Sequence, residues 1–380
     1  MQLVLTEDQE LLAKTAADFV GERSPVSRVR ELRDSGDPDA FSRKLWKEMA
    51  ELGWVGIPFP EAYGGAEMGL AELAVVLEAL GRTLAPEPFL STVLLGGQTL
   101  ALGASPAQQE AWIPKIVEGE AIVALACDEA RSRWDLAHVK TRAEASGDGF
   151  RLTGEKTQVL DGHVADLLLV SARTAGEAGD AAGVTIFAVR PDAAGVTVTR
   201  QSRIDSRNVA LVRLDGVEVG PGDVVGAVDG GAPVLEAAAA RATVGLCAEM
   251  VGAMQEAFDR TLGYMKQREQ FGVPIGSFQA LKHRAAREFI SIELSRTAVM
   301  AAARAVDAGD DEAAALVSLA KAQCSEAAVL VANESVQMHG GIGVTDEHDI
   351  GFYLKRARVA ELSLGDAAFH RRRWAELAGY

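Results

Sequence analysis

The spacing of hydrophobic and polar positions changes twice along this chain, which divides the sequence into three parts. In the first part, 1–120, Thr6 begins a capping-box pattern that leads into apolar residues at helical spacing. Further helices are predicted over 41–52 and 70–84, separated by a loop over 53–69 that is rich in glycine and proline. The first part is therefore predicted to be an all-α domain.

The second part, 121–226, consists of short apolar or alternating runs separated by turn-forming residues. The runs cover 122–127, 140–145, 150–157, 167–172, 184–189, 196–200 and 209–219. Short strands at this spacing are typical of an antiparallel sandwich or barrel. We therefore predict a middle domain that is an antiparallel β-barrel or β-sandwich.

The third part, 227–380, returns to helical spacing. Long helices are predicted over 234–268, 278–308, 312–339 and 346–373, the last with possible breaks. Four long helices are typical of a bundle. The predicted fold class is α+β multidomain, with an N-terminal helical domain, a middle β domain and a C-terminal four-helix bundle.

The charge of the chain narrows the classes of partner. With 38 basic and 54 acidic side chains, its formal net charge is -16. Nucleic acid and anionic membranes repel such a surface and are not expected as main partners. A few local arginines and lysines could still bind a phosphorylated cofactor.

The cysteines and the N-terminus bear on the cellular compartment. Cys127, Cys247 and Cys324 are widely spaced without a CxxC pair, which predicts reduced thiols in a cytoplasmic protein. The N-terminus is acidic where a signal peptide would be basic. The sequence contains no run of 18 apolar residues, so we expect no membrane span.

Three motifs carry a family resemblance. The stretch Arg268–Gly272 followed by Phe278-Gln279 resembles the "RxxFG…(F/H)Q" signature of acyl-CoA dehydrogenases, and Gln337–Gly343 resembles their "QxxGGxG". Trp54–Gly69 resembles their "PExYGG" loop. The resemblance extends over essentially the whole chain. It implies FAD-dependent α,β-dehydrogenation of an acyl-CoA thioester, with electron-transfer flavoprotein as the usual electron acceptor.

The same resemblance implies the residues that contact FAD. A guanidinium gives rigid donors for a pyrophosphate, amides suit an adenine or ribose edge, and glycine lets backbone approach a cofactor. The implied FAD contacts are Arg268, Phe271, Gln279, Gln337, Gly340 and Gly341.

Two histidines suggest an alternative site. His339 and His348 are nine positions apart and could be metal ligands, but the sequence offers no third ligand nearby. Histidines at a helix end are the simpler interpretation, so we predict no metal site.

The catalytic base is missing from both positions where the family carries a glutamate. Those positions align with Leu364 and Ala242, and neither side chain can accept a proton. The nearest acids are Glu361 and Asp366 in the last segment and Glu236 and Glu249 on the long helix. Glu361 or Asp366 could be a displaced base, but an ordinary solvated or capping residue is the simpler interpretation of each.

Two further family motifs, which hold the flavin ring, are altered. The "TEPGAGSD" loop corresponds to 128–135, where Arg131 and Arg133 replace two glycines. The "WIT" contact reads Gln158-Val159-Leu160, which removes an aromatic ring and a hydroxyl. In the family, these loops serve the chain's own flavin, whereas the arginine and "QxxGG" motifs serve the neighbour's flavin.

This division implies a partner subunit. Bacterial acyl-CoA dehydrogenases that act on sterol side chains form heterotetramers with one flavin per pair of chains, and the stretches 130–139 and 337–357 resemble that actinobacterial branch. The leading hypothesis is a subunit completed by a second acyl-CoA dehydrogenase chain. The alternatives are a self-sufficient homo-oligomer with a displaced base and a non-catalytic relative that binds FAD or acyl-CoA.

Overall fold

The structure is a computed structural model that describes residues 4–380, so the first three residues of the acidic N-terminus lie outside it. Helix α1 spans Glu7–Arg23. The Thr6 hydroxyl accepts a hydrogen bond from the Gln9 N–H at 3.2 Å, and the Gln9 side chain accepts one from the Thr6 N–H at 3.1 Å. This reciprocal pair confirms the predicted capping box.

The remaining helices before the sheet are more numerous than the periodicity predicts. They are α2 (Ser27–Ser35), α3 (Arg43–Glu51), α4 (Leu70–Thr83), a π-helix (Phe89–Gly97), α5 (Gln98–Gly103) and α6 (Pro106–Val117). The predicted loop over 53–69 consists of turns and one short 3₁₀ helix, Glu61–Tyr63.

The middle of the chain folds into strands at every predicted position. They are β1 (Val123–Ala126), β2 (Arg142–Ser146), β3 (Gly149–Leu160), β4 (Leu167–Arg173), β5 (Val184–Val189), β6 (Val196–Gln201), β7 (Val209–Val219) and β8 (Val224–Val225). Their order is β6-β7-β3-β2-β4-β5-β8, with β1 paired to β4. Among the described residues this sheet does not close on itself, so the barrel part of the prediction is not confirmed.

The sheet is mixed rather than purely antiparallel. Strand β1 runs parallel to β4, and β2 meets β4 in a short parallel bridge. Every residue of β1 and β4 is buried, as expected for strands covered on both faces, whereas β3 and β7 alternate between buried and exposed positions.

The C-terminal part contains five helices rather than the predicted four. They are α7 (Gly231–Gln267), α8 (Gln279–Ala308), α9 (Ala313–His339), α10 (Ile350–Leu362) and α11 (Ala367–Leu377). A two-stranded hairpin, β9 (Glu269–Gln270) and β10 (Val273–Pro274), follows α7. The predicted last helix is broken because Leu364 and Gly365 have positive φ, +58° and +107°.

The chain divides into two compact units that are discontinuous in sequence. One, the helical unit, contains 1–36, 69–86 and 243–380. The other, the mixed unit, contains 37–68 and 87–242 and holds the large sheet.

Close backbone contact joins α4 and α7 in the helical unit. A Cβ added to Gly81 would lie 2.1 Å from the Glu249 carbonyl oxygen, and one added to Gly252 would lie 1.8 Å from that of Glu78. Both positions therefore require glycine, because any side chain would force the helices apart.

Helix α9 is unusually apolar. The described segment Ala313–Val344 is long and apolar enough to cross a membrane by length and composition, and 56% of its most apolar stretch is buried inside the protein. Since α9 packs against α8, α10 and α11, burial in the bundle accounts for this character.

Candidate functional site

The proposed cofactor motifs converge on one small core cluster in the helical unit. Met265 near the end of α7, Ile275 after the hairpin and Met338 near the end of α9 are buried together, with Leu281 of α8 packed against them. Each of these residues lies within three or four positions of a motif residue. The cluster therefore brings together three segments that are far apart in sequence.

The hairpin after α7 carries the phenylalanine of the first motif in its turn, and Arg268 immediately precedes the hairpin. Its two turn residues, Phe271 and Gly272, both have positive φ, as in the tight turns that join short hairpins. The Phe271 side chain is 91% exposed and meets Phe278 edge to face at 6.2 Å. A bulky residue held in this conformation with its ring in solvent is costly, which suggests a binding role.

The polar members of the motifs are available for a ligand. The side chains of Arg268, Gln279 and Gln337 are exposed, and none has a hydrogen-bonding or ionic partner among residues 4–380. Gly340 ends α9 with a φ of +66°, and Cβ atoms added to Gly340 or Gly341 would meet nothing within 4 Å. Conformation, rather than crowding inside this chain, therefore explains the glycine at 340.

These residues suit the adenine and pyrophosphate half of FAD. The free guanidinium matches a pyrophosphate, and the two free amides can bind the edges of an adenine or ribose. Phe271, Phe278, Ile342 and Val344 add exposed apolar surface to the same segments. All of these groups face away from the chain, as expected if another chain holds the rest of the cofactor.

The two histidines of the metal alternative are part of an aromatic stack. The Tyr264 ring stacks on His339 at 4.6 Å and 28°, and His339 lies 4.5 Å from His348. His339 Nδ1 lies 2.7 Å from the Ser335 carbonyl oxygen, and the Ile350 N–H donates to His348 Nδ1. Among the described residues, no group of three potential ligands could hold a metal ion.

Buried groups hold the loop that carries Leu364. The Lys321 Nζ donates to the carbonyl oxygens of Glu361 at 2.9 Å and Gly365 at 2.7 Å, and His370 Nε2 donates to that of Leu364 at 2.8 Å. Lys321 is fully buried, and burial lowers its pKa. The loop is therefore fixed from inside the bundle.

Both candidate displaced bases have structural partners. Asp366 caps α11, since its Oδ1 accepts a hydrogen bond from the Phe369 N–H at 2.7 Å. The Glu361 carboxylate lies 2.8 Å from the Arg358 guanidinium, one turn away on α10. These contacts explain both acids without a catalytic role.

The second base position, Ala242, is fully buried on α7. Glu236 is exposed to solvent. Glu249 forms a buried two-point ion pair with Arg356 of α10, with distances of 3.2 and 3.1 Å. A carboxylate held this way is stabilised as an anion by its partner and is committed to the packing of α7 against α10.

The altered loop over 128–135 still has backbone in the left-handed region, which glycine adopts most easily. Arg133 and Trp134 have φ values of +46° and +68°. The loop is anchored by Glu129, which pairs with the buried Lys156 at 2.7 Å and accepts hydrogen bonds from the Thr141 N–H and hydroxyl. The loop conformation is thus present without the glycines that would let a ligand approach it closely.

The second altered contact lies in a bulge of β3. The register against β7 shifts between Lys156 and Val159, and Gln158 has a φ of +52° with an exposed side chain. By the resemblance in sequence, Gln158 corresponds to the family's aromatic residue, and an amide offers much less stacking surface than an aromatic ring.

Sequence reasoning missed Tyr264, Lys321 and His370. A tyrosine or lysine at helical spacing gives no sign of burial, and charged residues are seldom fully buried. The Leu-Gly pair at 364–365 was the available signal for the break that Lys321 and His370 stabilise.

Comparison with known proteins agrees with this architecture. Models of the acyl-CoA dehydrogenase N-terminal, middle and C-terminal domains match residues 6–120, 124–217 and 229–378. The acyl-CoA dehydrogenase FadE27 of Mycobacterium tuberculosis is 33% identical over 88% of this chain and 87% of its own. Cyclohex-1-ene-1-carbonyl-CoA dehydrogenase of Geobacter metallireducens is 31% identical over 95% of each chain.

One of the solved structures that this chain resembles is a complex of two different chains. A chain of the ChsE4-ChsE5 complex from Mycobacterium tuberculosis superposes with a TM-score of 0.90, at 32% identity and with full coverage of both chains. Together with the three domain matches, this shows that the chain belongs to the acyl-CoA dehydrogenase family.

Proposed function

We propose that this chain is the non-catalytic subunit of a heteromeric acyl-CoA dehydrogenase and that it binds the adenine half of a FAD held by a second subunit. The observation that carries this proposal is the contrast between two sets of residues. Arg268, Gln279 and Gln337 are exposed and free, whereas Arg131, Arg133 and Gln158 replace the residues that would hold a flavin ring in this chain.

FAD is the cofactor of this family, whose members are oxidoreductases acting on CH–CH bonds. When bound, FAD accepts the hydride from the β-carbon of the acyl group. The α-proton needs a base, and Leu364 and Ala242 cannot provide one. We infer that the partner subunit supplies the base, while this chain contributes donors for the cofactor's pyrophosphate and adenine.

The resemblance to a chain of the ChsE4-ChsE5 complex supports a heteromeric assembly. The resemblance to the Tcur3481-Tcur3483 steroid acyl-CoA dehydrogenase, at 29% identity, supports a bulky, sterol-derived acyl-CoA as substrate. Electron-transfer flavoprotein is the expected acceptor, and the cytoplasm is the expected location. The predicted domains 1–120, 121–226 and 227–380 remain our proposal for the division of the chain.

The proposal is tested by purifying the chain alone and co-expressed with an adjacent acyl-CoA dehydrogenase gene. FAD content and dye-coupled acyl-CoA turnover are measured in both preparations. We expect little FAD and no turnover with the chain alone, and one FAD per pair of chains with turnover in the complex. In the complex, Arg268→Ala should weaken FAD binding at least about tenfold. Arg190→Ala, which removes an exposed arginine of the mixed unit, should not.

Other outcomes would overturn it. Full FAD occupancy and turnover by the lone chain would favour the self-sufficient alternative, and loss of that turnover in Glu361→Gln or Asp366→Asn would identify a displaced base. The absence of flavin from both preparations would favour a non-catalytic relative.

A further inference from the structure

We propose that Tyr264, His339 and His348 form a positioning stack, which joins the two FAD-binding turns and requires both histidines to be neutral. This inference rests on the proposed contact with FAD. It assigns to the two histidines a role that is neither metal binding nor catalysis.

The stack connects the two motifs directly. The Arg268 N–H donates to the Tyr264 carbonyl oxygen at 2.8 Å in the last turn of α7, and His339 immediately precedes the Gly340–Gly341 turn at the end of α9. Ring contact between Tyr264 and His339, at 4.6 Å, therefore fixes one turn against the other. Packing of Met265 against Met338 places the same helix ends side by side.

His348 completes the stack from the following segment. Its ring lies 4.5 Å from His339, and its Nδ1 accepts a hydrogen bond from the Ile350 N–H at 3.2 Å. This nitrogen therefore carries no proton, and it satisfies a free amide at the N-terminus of α10. A proton on this nitrogen would break that bond and place a positive charge at the positive end of the helix.

The charges around the stack also oppose protonation. His339 is 3% exposed, and burial lowers its pKa. The hydrogen bond to the Ser335 carbonyl oxygen opposes this effect, and the charges of His348 and Arg260 reinforce it. Burial likewise lowers the pKa of His348, with Asp349 opposing and Arg260 reinforcing the effect. Arg260 is itself held by Glu256 and Asp349, so its charge is fixed in place.

The sign of the pH effect follows from these contacts. Because the histidine pKa values are lowered in the folded chain, both rings are neutral above their ordinary value near 6.5. As the pH falls below that value, the histidines of the unfolded chain are protonated first, which lowers the stability of the folded arrangement. At lower pH the rings in the folded chain are protonated as well, and their positive charge opposes stacking. We therefore expect the two turns to separate, and FAD binding to weaken, on acidification.

The test measures the binding of FAD, by flavin fluorescence, to the cofactor-free complex of the full chain with its co-purified subunit between about pH 8 and about pH 5.5. Wild type should lose at least about threefold in affinity over this range, because the lowered histidine pKa values delay protonation to below pH 6.5. His339→Phe, which keeps the ring and cannot titrate, should bind within about threefold of wild type at pH 8 and lose less affinity at low pH. His339→Ala should bind at least about tenfold more weakly at every pH.

Arg268→Ala separates this inference from the proposed function. It should weaken binding at all pH values and leave the pH dependence unchanged. If Arg268→Ala binds like wild type, the proposed FAD contact fails. If Arg268→Ala weakens binding while His339→Ala and Tyr264→Ala do not, only the stack is refuted. Should the alanine variants fail to fold by circular dichroism, an unchanged pH profile in His339→Phe would still refute the inference.

Discussion

The side chain of Lys321 donates a hydrogen bond to the carbonyl oxygen of Gly365 at 2.7 Å, from a position inside the helix bundle. The same ammonium group donates to the Glu361 carbonyl oxygen and the Ser325 hydroxyl. Three donors are thereby matched by three acceptors, which is what a fully buried charge needs. The loop between α10 and α11 is therefore anchored where the family usually places its base.

Replacing this lysine should destabilise the fold. In Lys321→Met, two carbonyl oxygens lose their buried donor, so we expect the free energy of unfolding to fall by about 2–4 kcal/mol. Urea unfolding followed by circular dichroism measures the change. Lys14→Met on α1 removes an exposed lysine and should change the same free energy by less than about 0.5 kcal/mol. Equal effects of the two substitutions would contradict the anchoring role.

The glycine on the other side of this hydrogen bond offers a second test. A Cβ at Gly365 would lie 2.6 Å from His370 Nε2 and 2.6 Å from Phe369 Cδ1, in addition to the strain of a φ of +107°. Gly309, at the end of α8, has a φ of +62° and free space around it. Gly309→Ala should cost about 1 kcal/mol. Gly365→Ala should cost roughly 2 kcal/mol more, because the side chain overlaps its neighbours.

Glu288 predicts a pH dependence of stability. This α8 residue is fully buried, and neither carboxylate oxygen has a hydrogen-bonding partner among residues 4–380. Burial and the nearby Glu334 raise its pKa from 4.5 to about 8. Because the folded chain keeps this proton longer than the unfolded chain, the stabilising effect is complete below pH 4.5 and is lost as the pH rises to about 8.

Urea unfolding of wild type and Glu288→Gln at a series of pH values measures this effect. The glutamine variant cannot titrate at 288, so its stability should fall less between pH 5 and pH 8 than that of wild type. Glu10→Gln, an exposed acid of α1, should follow the wild-type curve. Parallel curves for wild type and Glu288→Gln would show that Glu288 does not titrate in this range.

The altered loop of the mixed unit predicts a stabilising substitution. Arg133 has a φ of +46°, which glycine adopts without strain, so Arg133→Gly should raise the free energy of unfolding by about 1 kcal/mol. Arg131 has no positive φ, so Arg131→Gly should leave stability unchanged or lower it. Thermal unfolding of the two variants provides the comparison, and a destabilised Arg133→Gly would refute the assignment of strain.

Much of the fold follows from the periodicity of the sequence. The short apolar run over 184–189 and the alternation over 209–219 predict both strands with their observed ends. The first strand is almost entirely buried, whereas the second alternates between buried and exposed positions. Sheet closure does not follow from alternation, since the pairing of the outermost strands depends on contacts distant in sequence. The π-helix over 89–97 was missed for a similar reason, because its apolar run fits several buried structures.

The sequence predicted which residue types form the candidate site, but it did not predict the contacts that hold the loop at Leu364 in place. The free donors of Arg268, Gln279 and Gln337 lie on the segments that the motifs indicate, and their FAD contacts remain a prediction. The sequence predicts possible breaks in the last helix, but the break at Leu364 was not placed, because leucine seldom adopts a positive φ and only the adjacent Gly365 signals a turn there. It is held by Lys321 and His370, which contact the loop only after the bundle has formed.

The interlocked glycines of α4 and α7 have a mechanical consequence. Since Gly81 and Gly252 leave no room for even a methyl group between the two backbones, the helices cannot slide past each other. Near this contact the two helices are expected to move as one rigid body. A force applied to the hairpin at the far end of α7 would therefore be transmitted to α4 as well.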